Sequence, residues 1–91
     1  MDEGVELLEY GGNFSVARHT QRTFPGVLIQ GDTLSTWWSD LERILNALAN
    51  NDIDDATETA RWLLEHVDGA LRFYERVLGD HGIRLPYNER R

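Results

Sequence analysis

The stretch Phe24-Pro25-Gly26-Val27-Leu28-Ile29-Gln30-Gly31-Asp32-Thr33-Leu34 constrains the fold more than any other part of this chain. Pro25 lacks an amide donor, so it belongs at the start of a strand or on a sheet edge. Phe24 to Gln30 carries the strand, Gly31 breaks it, and Asp32 and Thr33 offer side chains that cap a helix. One strand, one corner and one helix start are thus fixed within a few residues.

Two further strands precede it. Val5 to Tyr10 and Phe14 to Arg18 are separated by Gly11-Gly12-Asn13, residues that tolerate the positive φ of a tight turn. After the corner, Leu34, Trp37, Trp38, Leu41, Ile44, Leu45, Leu48 and Ala49 recur at helical spacing. Ser39, Asp40, Arg43, Asn46 and Ala47 are expected on the back of that helix. Asn50-Asn51-Asp52 stops it. A second stripe, from Ile53 through Ala56, Ala60, Leu63, Leu64, Val67, Leu71 and Tyr74 to Leu78, predicts a long second helix. The expected boundaries are strands over 5–10, 14–18 and 24–30, helices over 33–49 and 53–78, and a short tail over 83–91. Ile83 to Pro86 is expected to fold onto the body and Tyr87 to Arg91 to fray. The fold class is α+β, a three-stranded antiparallel sheet packed on two antiparallel helices in the order βββαα, because an amphipathic sheet and amphipathic helices must cover one another.

At 91 residues the chain is one domain. It buries only about 60–65% of its unfolded surface, so dimerisation or partner binding is a natural source of further stability. There is no cysteine, which excludes disulfides and thiolate metal sites. The acidic start Met1-Asp2-Glu3 does not resemble a signal peptide, and no apolar run reaches the ~20 residues of a membrane span, so a cytoplasmic protein is expected. Sixteen acidic against nine basic residues give a net charge of −7. That excludes a phosphate-neutralising nucleic-acid binder and favours a partner with a basic surface.

The order Phe14-Ser15-Val16, Phe24-Pro25-Gly26-Val27, then Gln30-Gly31-Asp32-Thr33-Leu34 resembles the partial ribonuclease-H-like domain of HicB-type antitoxins, over roughly residues 14 to 48. The resemblance implies inhibition of a small toxin, often an RNA-cleaving one, by protein–protein contact. This chain departs from the family after the first helix. A long second helix stands where a further strand and often a DNA-binding segment would follow. An immunity protein would share the size, the acidity and the lack of a catalytic motif.

No reaction chemistry is written in the motifs. His19, His66 and His81 form no metal-binding spacing, and Asp52, Asp54, Asp55 and Glu58 lack the glycine of a calcium loop. No nucleophile elbow or phosphate-cradling loop is present. The chain is therefore read as a non-enzyme without cofactor or metal. Its candidate site is a partner surface on the second helix. Trp62 and Phe73 are eleven residues apart, close to three turns, and fall opposite a stripe counted from Ile53, with His66 at the border. Exposed aromatics are the usual anchors of interfaces. Asp55, Glu58 and Glu65 would orient a basic toxin, and the same aromatic face would serve a homodimer. Trp37 and Trp38 are expected in the core, with one able to stand at its edge. The alternatives are a self-associating structural domain and a small-ligand binder.

Overall fold

The computed structural model describes residues 4–89. The elements run β1 (Val5–Tyr10), β2 (Phe14–His19), β3 (Gly26–Ile29), α1 (Gly31–Ala49) and α2 (Ile53–Asp80). The α+β class and the order βββαα are those read from the sequence. The sheet is antiparallel in the order β1-β2-β3. The chain divides into two compact units: the strands through Ile29 with the chain from Ala70 onward, and Gln30–Gly69.

In the first unit, β1 and β2 form a hairpin closed by the Gly11 amide donating to the Phe14 carbonyl at 2.8 Å, with Gly12 at φ 83°. A bulge between Leu7 and Glu9 shifts the register and places Leu8 beside the core. Val16 of β2 is fully buried among Tyr74, Val77 and Leu78 of α2. Pro25 lies just ahead of β3, as its missing donor requires, and its carbonyl accepts a 2.6 Å hydrogen bond from the buried Tyr74 hydroxyl. Burial pushes the Tyr74 hydroxyl pKa up. The helical layer over the sheet in this unit is the last third of α2.

α2 ends on Gly82 in the left-handed region (φ 66°). The Ile83 amide donates to the Leu78 carbonyl at 2.8 Å and the Gly82 amide to the Gly79 carbonyl at 3.1 Å, a Schellman stop. The turn lays Ile83, Leu85 and Tyr87 on the core. Tyr87 does not fray: its ring stacks on Tyr74 with centroids 6.4 Å apart, and its hydroxyl donates to Glu75 at 3.0 Å. Arg90 and Arg91 lie outside the described residues.

The second unit is a helical hairpin. α1 begins earlier than the capping pattern predicts. Gln30 is its N-cap without a side-chain bond, and Gly31 is its first residue, without positive φ. Asp32 sits in the first turn, where its carboxylate accepts the Thr33 amide at 2.8 Å and faces the positive helix end. The hairpin turn is a second Schellman stop. Asn51 takes φ 58°, the Asn51 amide donates to Leu48 at 3.1 Å and the Asp52 amide to Ala47 at 2.8 Å. Asp52 is at once the cap of α2, its carboxylate accepting the Asp55 amide at 3.1 Å.

The apolar stripe read from α1 is not what this unit buries. Trp37 and Ile44 are half-buried and Ala47, placed on the back by the sequence reading, is buried. Leu34, Trp38, Leu41, Leu45 and Leu48 are exposed. Along α2 the stripe is buried only in part. Ala56 is buried and Leu63 half-buried as read, Thr59 and Ala70 are buried although the stripe left them out, and Ile53, Ala60, Leu64 and Val67 are exposed. Each buried seam lies about one residue step, ~100°, from the stripe of bulky side chains. The buried positions of the hairpin carry small residues (Ala47, Ala56, Thr59), and the larger side chains are left on the outside.

Candidate functional site

The hairpin of Gln30–Gly69 has two contrasting faces. One is polar. Arg43 of α1 grips Asp55 of α2 as a fork, Nη2 donating to Oδ1 at 2.6 Å and Nε to Oδ2 at 3.2 Å. The guanidinium holds the Asp55 carboxyl below the usual aspartate range, and Asp55 raises Arg43 in turn. Beside this pair lies a shallow depression of about 280 Å³ lined by Asp40, Arg43, Glu58, Thr59 and Trp62. Trp62 is 56% exposed at its edge. The His66 ring packs on the indole at a 4.4 Å centroid distance, its Nδ1 2.8 Å from the Trp62 carbonyl oxygen. The two rings are tilted by 48°, and more than half of the indole stays exposed. Glu58 and Glu65 are exposed near it.

Five of the six predicted partner residues thus belong to this unit: Trp62, His66, Asp55, Glu58 and Glu65. Asp55 is committed to Arg43 and fixes the hairpin. Phe73 is the correction. It lies in the other unit, half-buried against the cluster of Val16, Tyr74, Val77 and Leu78. Its ring comes within 2.5 Å of where a Cβ on Gly11 would stand, and the Arg76 guanidinium sits 5.4 Å over its centroid. Arg76 also donates to Glu9 of β1 at 2.7 Å and to Asp80 at 3.0 Å. Phe73 is a wedge between the strand hairpin and α2, not an exposed anchor. Counting from Ile53 centred the stripe on the exposed Ile53, Leu64 and Val67. Measured from the buried seam, Phe73 falls on the flank of the core.

The opposite face is apolar, and the sequence reading missed it as a surface because its side chains are those a core would use. It takes the five exposed large side chains of α1 named above and Ile53, Leu64 and Val67 of α2. The clue in the sequence was excess: α1 alone carries more large apolar residues than one seam can bury.

Another concavity, about 590 Å³, lies in the first unit between Phe24 and the tail residues Arg84 to Asn88, with Arg84 6.0 Å over the Phe24 ring. Among the described residues no group of three or more His, Cys, Asp or Glu side chains is placed to hold a metal ion. None of their helices is long and apolar enough to cross a membrane.

Residues 1–87 match the model of DUF6959, a family of unknown function. The chain belongs to this family. No curated protein and no solved structure matches it.

Proposed function

We propose that this DUF6959 member is a protein-binding module of inhibitor type, antitoxin or immunity, whose polar hairpin face covers a basic surface of its partner. The observation that carries the reading is Trp62. A large aromatic stands more than half exposed against the His66 ring, at the edge of a depression that holds Asp40, Arg43 and Glu58, with the exposed Glu65 three residues further along α2. An indole gives binding energy at small entropic cost, and the acidic surround gives steering toward a cationic partner. The net charge of −7 acts in the same direction. The resemblance of residues 14 to 48 to HicB-type antitoxins is consistent with a small RNA-cleaving toxin as that partner. Occlusion of the partner's active surface needs no catalytic group on this chain.

The test uses the proteins encoded by the genes on either side of this one, among which the reading expects a basic nuclease. Wild-type protein is expected to inhibit it stoichiometrically, with affinity falling as salt rises. Trp62→Ala should weaken inhibition by about 100-fold, the loss of one strong hot spot. Equal inhibition by wild type and Trp62→Ala would remove this face from the proposal. No binding to any neighbouring basic protein would sink the inhibitor reading.

A further inference from the structure

On α1 the exposed side chains Leu34, Trp38, Leu41, Leu45 and Leu48 follow one another at steps of four and three residues. On α2 the exposed positions Ile53, Thr57, Ala60, Leu64 and Val67 do the same, with Thr57 the single polar member. This is the spacing of a seam that packs against another helix. Both seams lie on one side of the hairpin. In each helix the residues that line the Trp62 depression fall on one side of the buried seam, and the exposed apolar residues fall ~100° to the other. The hairpin therefore turns one continuous apolar face to solvent.

We infer that this apolar face pairs with the same face of a second copy of the chain, closing an antiparallel four-helix bundle with α1 of each copy over α2 of the other. Three observations select that occupant. The first is area. Eight large apolar side chains, most of them about half exposed, present roughly 800 Å² at ~100 Å² each. A standard interface buries about 800 Å² per partner, and the largest patch on a typical monomer is about 300–600 Å².

The second is shape. The Arg43–Asp55 fork, and the depression shared by Asp40 and Thr59, set Leu41 level with Thr57 and Trp38 level with Ala60. A two-fold axis along the hairpin lays each α1 on its partner's α2 at equal levels. The bulkiest part of one seam, Trp38 and Leu41, then meets the smallest part of the other, Thr57 and Ala60, and does so twice.

The third is charge. Glu42 flanks the α1 seam and Arg61 flanks that of α2, both exposed, and neither has an ion pair among the described residues. The same axis brings each Glu42 within about one and a half helical turns of the partner's Arg61, a span two long side chains can bridge. Packing α1 on α1 would instead bring the two Glu42 carboxylates together. The acidic flanks Glu42, Asp54 and Asp68 also disfavour an anionic lipid surface as the occupant.

Sedimentation equilibrium on the full chain, with circular dichroism as the check on folding, tests this. Wild type is expected to be a dimer at micromolar concentration. Leu41→Glu/Leu45→Glu should be a folded monomer, its dissociation constant raised at least ~100-fold. Glu42→Arg and Arg61→Glu should each weaken the dimer, and the double exchange Glu42→Arg/Arg61→Glu should restore it. Trp62→Ala should leave the dimer unchanged, which separates this interface from the inhibitor surface. A wild-type monomer at high micromolar concentration would overturn the inference, whatever the outcome of the nuclease test. So would a dimer untouched by Leu41→Glu/Leu45→Glu, or charge variants that the double exchange fails to rescue.

Discussion

Tyr74 and Phe73 are neighbours in sequence, and both face the first unit's core, but they do different work there. Tyr74 is a buried phenol whose hydroxyl satisfies the Pro25 carbonyl. Tyr74→Phe leaves that carbonyl without its donor and should cost about 1–2 kcal/mol in urea unfolding. Phe73 fills the space against Gly11. Phe73→Ala should cost about 2–4 kcal/mol, the range of a large side chain removed from a packed site. Trp62→Ala, at an exposed position, should stay within about 0.5 kcal/mol. Equal costs at Phe73 and Trp62 would contradict the division drawn between wedge and anchor. The sequence offered both as aromatics on one helix, and their difference in burial comes from the strand hairpin that Phe73 meets.

The helices owe their ends to specific side chains. Asp52 both follows the stop of α1 and caps α2, so Asp52→Ala should lose about 1 kcal/mol. Asn51 stands at φ 58°, and Asn51→Gly should be neutral or slightly stabilising where Asn51→Ala is not. The Arg43–Asp55 fork ties the two helices by charge. Asp55 is held below its unfolded value of ~3.9. The fork's contribution is therefore present above that value and is lost as pH falls through the lower folded one. A stability–pH curve for Asp55→Asn should run flatter than wild type over this acid range. Parallel curves would show that the fork contributes nothing. Asn50-Asn51-Asp52 was legible in the sequence as a stop. The start of α1 at Gly31 was not, because the Gln30 cap makes no side-chain bond that a residue pattern could announce.

At the scale of the molecule, self-association makes stability depend on concentration. If the hairpin faces pair, Tm should rise with protein concentration in wild type and be flat in Leu41→Glu/Leu45→Glu. Amides of α1 should exchange faster in that variant than in wild type, with those of β2 less affected, because α1 lacks buried apolar contacts of its own beyond Trp37, Ile44 and Ala47. A net charge of −7 works against pairing at long range, so added salt should strengthen the dimer while it weakens binding of a basic partner. Opposite salt trends on one protein would mark two separate surfaces.

The chain's own residues determined the elements. Alternation, turn glycines, Pro25 and the Asn-Asn-Asp stop are local devices, each acting over a few positions, and they specify βββαα without knowledge of the packing. Periodicity also told that both helices are amphipathic. It could not tell which of two adjacent stripes each helix would bury, because a step of one residue turns the helix by ~100° and both stripes are apolar. That choice depends on what each stripe meets in the folded chain. Ala47, Ala56 and Thr59 are the residues buried in the hairpin, and most of its leucines and Trp38 are left outside. The same choice moved Phe73 into a core and left Trp62 in solvent, so the chain's two candidate binding faces exist only as a consequence of tertiary packing.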